Sequence, residues 1–324
     1  MRTEAIFRAL ADSTRLRILR LLESMELAVG ELAQVLGQSQ PRVSRHIAIL
    51  CESGLAERRK EGSWVFLRVA RAEGIHAETL PALFALIDRA VAVDEELALT
   101  CEQDRRRLVE IRAMREAQAQ DYFAANAQDW DELRRLHSSD DQVEAALAQA
   151  LGSQRLGRLL DIGTGTGRMA ELFAERADHI VALDKSLAML RVARAKLQHL
   201  PTERIELVQG DFTDLPFGQA SFDTVLFHQV LHFAQAPAAV LAEAARVLRP
   251  GGRVAIVDFD VHAREDLREK HAHARLGFAE DQMRELLEGA GFRAAEPAAL
   301  DDGELVVTIW VAERVGAEAE RIAS

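Results

Sequence analysis

The chain has 324 residues but only two cysteines, Cys51 and Cys101. Two thiols cannot build a disulfide framework, so a reducing cytoplasm is the expected setting. The first ten residues, MRTEAIFRAL, hold no apolar core followed by a small-residue cleavage site, and no secretory signal is expected. Long uncharged runs are also missing. The longest stretch without Asp, Glu, Lys or Arg is TVLFHQVLHFAQAPAAVLA (224–242), whose two His, two Gln and one Pro exclude a membrane span. It reads as a buried strand, a loop and a helix. Prolines are few, and there is no internal repeat or low-complexity tract.

At this length two domains are the natural reading. The composition, 48% hydrophobic and 28% charged, is that of a globular protein. Charge is unevenly placed. The whole chain carries −12, whereas residues 1–70 hold 11 Lys+Arg against 8 Asp+Glu, a net of +3 that leaves −15 for the remainder. Such asymmetry points to a basic binding module joined to an acidic body.

Residues 4–10 and 13–24 read as helices, with Asp12 capping the second and Leu16, Leu19 and Leu22 at helical spacing. VGELAQVL (29–36) is a short helix stopped by Gly37. The next segment opens SQPRVSRHIAIL (39–50). Ser39 suits an N-cap and Pro41 the first turn. Val43, Ile47 and Leu50 share one face, which leaves Gln40, Arg42, Ser44 and Arg45 outward. LAERR (55–59) and WVFLRV (64–69) read as strands joined by KEGS, with Arg58, Arg59 and Lys60 at the hairpin tip. A solvated helix with scattered arginines produces the same spacing. The order of elements favours a winged helix-turn-helix, whose second helix enters the major groove with its N-terminal residues on base edges. Gln40, Arg42, Ser44 and Arg45 are types that read bases or phosphates, and Arg58, Arg59 and Lys60 suit the phosphate backbone. The Debye length at physiological salt is about 8 Å, so most of the acidic body lies beyond screening distance of the DNA. Residues 75–118, with Pro81 opening one segment, read as dimerisation helix and connector, and 119–150 as further helix.

The runs ALADSTRLRILRLLE (9–23) and ELAQVLGQSQPRVSRHIAILCESGLAERRKEGSWVFLRV (31–69) resemble the ArsR/SmtB family of winged-helix repressors. The likeness covers about the first 100 residues. It implies a homodimer on a palindromic operator, usually released by a ligand. Metal sensors of that family carry a cysteine pair in the helix before the recognition helix. This chain has AVGEL (28–32) there, so no metal site is expected.

From residue 157 the rhythm changes. RLLDIG, HIVALD, IELVQG, FDTVLF and GRVAIVDF are short apolar runs separated by helical segments, which predicts βαβ units and a mostly parallel sheet. ELVVTIWVAE (304–313) reads as a last strand, with another near 293–299. LLDIGTGTG (159–167) sets glycines directly after a strand and before a helix, where backbone can approach a ligand closely. Asp184, ending HIVALD, can accept both hydroxyls of a ribose, and Asp211 and Phe212 of QGDF fall near an adenine ring. A dinucleotide fingerprint wants glycine where Arg168 stands, which disfavours a pyrophosphate. Helix capping is the competing reading for Asp161 and Asp184, but both end strands.

LLDIGTGTGRMAELFAERADHIVALDKSLAML (159–190), VQGDFTDLPF (208–217), FDTVLFHQVLHF (222–233) and RVLRPGGRVAIVDF (246–259) together resemble the class I S-adenosylmethionine-dependent methyltransferases, over about residues 119–324. The resemblance implies a seven-stranded sheet with an antiparallel hairpin at one edge. It implies that Gly163, Gly165 and Gly167 line the methionine moiety and that Asp161 holds its amino group directly or through water. Asp184 would take the ribose, Met189 would pack nearby, and Asp211 and Phe212 would flank the adenine.

His228, Gln229 and His232 follow the fourth strand and would border the transferred methyl. Either histidine could deprotonate an acceptor, or both are loop residues bonded to backbone. His262, His271 and His273 read as surface or lid residues, because H-x-H on a helix points its rings roughly 200° apart. Residues 119–324 contain no cysteine, so the thiol set of arsenite methyltransferases is missing. No N-P-P-Y-like tetrad follows FDTVLF, which favours a small-molecule acceptor over a base or amide nitrogen.

The expected architecture is an α+β winged helix-turn-helix (1–100), a helical connector (101–118) and an α/β, Rossmann-like methyltransferase sheet (119–324). The expected function is a dimeric DNA-binding regulator, working on a double-stranded operator and away from membranes. Its fused domain would sense S-adenosylmethionine or S-adenosylhomocysteine, with methylation of a small molecule left open. One alternative is an active methyltransferase whose helix-turn-helix mainly dimerises or tethers it. Another is a repressor with an empty methyltransferase fold.

Overall fold

The structure is a computed structural model that describes residues 3–23, 25–61, 64–70, 79–130, 140–201, 203–301 and 303–316. The chain divides into two units, Met1–Glu116 and Ala117–Ser324, with the boundary inside a helix. No helix among the described residues is long and apolar enough to cross a membrane.

The first unit opens with α1 (Thr3–Leu10) and α2 (Ser13–Leu22). Asp12 caps α2 by accepting from the Arg15 amide at 3.0 Å. β1 (Leu27–Ala28) and α3 (Val29–Leu36) follow, and Gly37 ends α3 at φ +63°, a left-handed conformation that glycine adopts without strain. α4 (Gln40–Glu52) starts at Ser39, whose carbonyl accepts from Arg42 and Val43 while its hydroxyl makes no cap bond. Val43, Ile47 and Leu50 are buried in a core shared with Ile18, Leu19, Leu32 and Leu67. β2 (Ala56–Glu61) and β3 (Trp64–Val69) pair antiparallel, and β1 adds to β3, giving the order β1-β3-β2. The strands reach Glu61 and Trp64, so Arg58, Arg59 and Lys60 lie within β2 rather than at a tip. Gly62 lies outside the described residues.

α5 (Thr79–Val93) and α6 (Glu95–Asn126), the latter as far as Glu116, complete this unit. Part of the expected connector belongs to the regulator core. Cys101, Asp104 and Leu108 of α6 are buried there, and the Arg17 guanidinium grips Asp104 with two bonds of 2.6 and 2.7 Å. α6 then runs unbroken to Asn126, past the expected end of the connector at 118. Burial pushes both the Cys51 and Cys101 thiols up, with Arg58 pulling back on Cys51, so both stay protonated near neutrality.

The second unit alternates helix and strand: α7 (Asp140–Ala150), β4 (Gly157–Ile162), α8 (Arg168–Leu172), β5 (Ala177–Asp184), α9 (Leu187–Leu197), β6 (Ile205–Gln209), β7 (Phe222–His228), α10 (Pro237–Val247), β8 (Leu248–Phe259), α11 (Glu265–Lys270), α12 (Glu280–Gly289), β9 (Phe292–Ala294), β10 (Ala298–Leu300) and β11 (Val307–Arg314). The sheet runs β10-β11-β8-β7-β4-β5-β6, with β9 also on β11. β6, β5, β4, β7 and β8 are parallel, and β11 is antiparallel to β8. The expected seven positions are present, but the edge position is split. β9 and β10 pair with opposite ends of β11, and Glu296 and Pro297 fall between them. Alternate residues of each central strand face two cores. Leu160, Val181, Val225 and Ile256 line one, and Leu159, Ile180, Leu226 and Val257 the other. The strand order reverses between β4 and β7, the place where open α/β sheets bind ligands beyond the carboxyl ends.

Candidate functional site

Two sites are built, one in each unit. On α4, Gln40, Arg42, Ser44 and Arg45 are exposed while the opposite face is buried. Arg42 and Arg45 have no ion-pair partner among the described residues, so both guanidinium forks remain available for base edges. Arg58 and Lys60 are exposed on β2. Arg59 faces the other way, because successive strand residues alternate. It holds Glu26 through two bonds of 3.0 and 3.2 Å and lies 5.0 Å from the Phe66 ring. Its expected place on phosphate is thus taken by a structural ion pair, and the tip reading fails for it.

In the second unit the glycine loop joins β4 to α8. Gly163, Gly165 and Gly167 all have left-handed φ, at 68°, 54° and 87°. They do different things. A Cβ on Gly163 would lie 2.3 Å from Val230 Cγ2, and one on Gly167 would lie 2.9 Å from Leu197. Those two glycines admit neighbouring protein. Only Gly165 opens outward, where a Cβ would meet the Trp130 indole at 3.6 Å. Arg168 turns away from the loop to hold Glu144 of α7 in a bidentate pair at 2.6 Å.

The carboxylates stand at consecutive strand ends. Asp161 is fully buried and accepts from Thr164 Oγ1 at 2.6 Å. Asp184 accepts from the amides of Gly165 and Ser186, each at 2.8 Å, which ties the loop to β5. Burial pushes the Asp184 carboxyl above its ordinary value, against the pull of those donors. Asp211 is held by Lys185 at 2.7 Å and by the Thr213 amide and hydroxyl. Burial would raise it, but these partners keep it below the usual carboxylate range. Met189 is buried in the first turn of α9, and Phe212 is half-buried against the core. The eight residues expected around a donor lie at or just after the carboxyl ends of β4, β5 and β6.

This cluster fits a nucleoside sulfonium in its chemistry. Asp184 remains partly exposed beside the one open glycine, and a ribose diol would donate to it. Half-buried Phe212 offers apolar surface for a base, Met189 is buried at the start of α9, and three aspartates near the loop favour a cationic centre. Asp211 also fixes its own loop through Lys185 and Thr213.

The fourth strand leads into a short 3₁₀ turn, Leu231–Phe233. Gln229 precedes it at φ +53°, a conformation uncommon outside glycine and concentrated at functional sites. His232 Nδ1 lies 2.7 Å from Asp258 Oδ1, and both side chains are buried. His228 ends β7 and is also buried. The H-x-H is not helical, because α11 stops at Lys270 and Ala272 takes φ +59°. His271 instead meets the Tyr122 hydroxyl at 2.7 Å, and His273, contrary to a surface reading, is buried and stacks on His232 at 4.1 Å.

Sequence reasoning missed Tyr122, Phe123, Trp130, Phe233 and Asp258. The four aromatic residues form an edge-to-face cluster, with Phe123 4.8 Å from Phe233 and 5.4 Å from Trp130. A signal existed: the chain's single tyrosine, a phenylalanine and one of three tryptophans fall between residues 122 and 130 of a sequence only 5% aromatic.

Residues 12–58 match the profile described as bacterial regulatory protein, arsR family, and residues 160–256 match that of a methyltransferase domain. The Escherichia coli (strain K12) arsenical resistance operon repressor is 44% identical over 101 residues, 31% of this chain and 74% of that protein. The demethylmenaquinone methyltransferase of Clavibacter sepedonicus is 38% identical over 125 residues, 38% of this chain and 50% of that protein. The chain thus spans about half the length of such methyltransferase relatives. Among solved structures, a chain from the Haloferax volcanii Trm112 methyltransferase-activator complex aligns with TM-score 0.50 and 23% identity, over 60% of this chain and 98% of that one, and shares the fold. The chain belongs to the arsR family of bacterial regulatory proteins and carries, C-terminal to that regulator module, a class I methyltransferase domain.

Proposed function

We propose that the protein is a homodimeric DNA-binding regulator whose second domain binds S-adenosylmethionine or S-adenosylhomocysteine and transfers methyl groups to a small molecule. The observation that carries this reading is the pairing of an exposed arginine face on α4 with the Asp184–Gly165 loop in the same chain. Bound S-adenosylmethionine supplies an electrophilic methyl group. The chain's own residues do the rest. Asp184 orients the ribose, Asp161 attracts the amino group, Met189 packs nearby, and Asp211 and Phe212 flank the base. Arg42 and Arg45 read base edges, while Arg58 and Lys60 meet phosphates.

Several features support regulation. A ligand shifts DNA binding only if it favours one state over another. In this reading α6 would carry that bias. Its Arg115 bonds Glu31 of α3 at 2.9 Å, and seven residues on, its Tyr122 bonds His271. Leu86, Val93, Leu99, Val109 and Met114 of α5 and α6 are exposed apolar residues suited to burial against a second copy. An arsenite acceptor, the substrate named for a Halobacterium salinarum arsenite methyltransferase that is 29% identical over 165 residues, is disfavoured by the absence of cysteine from residues 119–324. The test is calorimetry with both sulfur nucleosides. Micromolar binding that disappears in Asp184→Ala is expected, and silence at millimolar ligand would leave an empty fold.

A further inference from the structure

We propose that His232, held by Asp258, accepts the proton in methyl transfer, and that the acceptor is a flat aromatic compound bearing a hydroxyl group. This rests on the methyltransferase reading above and names its substrate class.

Asp258 is fixed from three sides. Oδ1 takes His232 Nδ1 at 2.7 Å and the Phe259 amide at 2.8 Å, and Oδ2 takes the His232 amide at 3.1 Å. An ionised carboxylate only accepts, so the proton sits on Nδ1 and Nε2 carries the lone pair. His232 is 2% exposed, and Nε2 has no hydrogen-bond partner among the described residues. Nε2 is not sealed in the core, so a ligand proton can reach its unpaired lone pair. The groups facing His232 are Asp258 from β8 and, from the segment after α11, the stacked His273 and the Arg275 backbone, whose amide donates to the His232 carbonyl at 2.9 Å.

The dyad lies against the donor loop. Val230, two residues before His232, closes on Gly163 so tightly that a Cβ there would collide at 2.3 Å. Trp130 stands over Gly165, and Phe233 links Trp130 and Phe123 to the His232 ring, 4.0 Å away. Rings favour a flat aromatic guest. The base selects its reacting group. An amine attacks through a lone pair it already has, and a thiol ionises near pH 8.5 unaided. A phenolic hydroxyl, with a pKa of about 10, gains most from a base. Its proton passes to His232 Nε2, the oxygen pair bonds the methyl carbon, and the carbon–sulfur pair leaves on sulfur as a thioether.

The test offers 2-naphthol, 1-naphthylamine and arsenite to the full-length protein with S-adenosylmethionine. Calorimetry measures S-adenosylhomocysteine binding and 2-naphthol binding to that complex. Transfer to 2-naphthol is expected. His232→Asn and Asp258→Asn should each lose about 10²–10⁴-fold in kcat. Their rates should climb with pH toward naphthol's own ionisation, where the wild type levels off. Both should keep S-adenosylhomocysteine and 2-naphthol affinities within about threefold, which a merely structural role would not allow. Transfer to naphthylamine or arsenite but not to naphthol overturns the proposal, as does an unchanged pH profile in His232→Asn. So does no transfer to naphthol while the nucleoside binds. Wild-type protein that fails to bind the nucleoside defeats the methyltransferase reading beneath it.

Discussion

Asp184→Ala removes the carboxylate that ends β5 and anchors the glycine loop through Gly165. If Asp184 takes the ribose as proposed, two hydroxyls would donate to its ionised carboxylate, each worth about 1.5–3 kcal/mol. Losing both weakens nucleoside binding by about 3–6 kcal/mol, or roughly 10²–10⁴-fold in Kd. The Gly165 and Ser186 amides also lose their acceptor, but Asp184 is only partly enclosed, so water replaces it at about 1 kcal/mol per bond. The fold should therefore survive while affinity collapses. Titration calorimetry with S-adenosylhomocysteine reads the first effect and thermal unfolding without ligand the second. The acid limb supplies a sign check. The ionised form accepts the ribose, and burial raises this carboxyl, so wild-type affinity should begin to fall above the usual carboxylate range as pH drops. The alanine variant should be flat there. A variant that binds within about threefold of wild type would refute the ribose assignment.

Arg42→Ala and Arg45→Ala should each cost about 1–3 kcal/mol on a preferred DNA fragment and blur its discrimination from scrambled DNA in gel-shift titrations. Arg58→Ala and Lys60→Ala should each reduce the slope of log affinity against log salt by about 1. Arg59→Ala should leave that slope alone and lower the urea midpoint instead, since Arg59 serves Glu26 and Phe66. Asp104→Ala strands the Arg17 guanidinium in the regulator core and should destabilise that unit by about 3–5 kcal/mol in denaturant titration. Gly163→Ala drives a methyl into Val230 and should lower the melting temperature, with Val230→Ala restoring part of the loss.

Local patterns made much of this legible. The apolar spacing of Val43, Ile47 and Leu50 named the buried face of α4, and the glycine spacing of 163–167 named the loop. Period-two alternation was available for Arg59 too, but a cluster of three basic residues read as one surface. The length of α6 was hidden because its charged residues circle the whole helix, leaving no stripe to mark an end. The dyad joins His232 of the 3₁₀ turn to Asp258 of β8, 26 residues apart, a pairing that no local pattern marks. The H-x-H was misjudged for want of a helix boundary, since a left-handed alanine cannot be read from sequence. The split of the sheet edge follows Pro297, which cannot donate to a ladder.

A regulator that joins a DNA-reading face to a sulfonium-nucleoside site in one chain is tested most directly by its affinity for a selected promoter fragment, at fixed salt, with and without each sulfur nucleoside. A shift of about 5–150-fold with at least one of them, absent in Asp184→Ala, is the expected result. Equal affinity under all three conditions would contradict it.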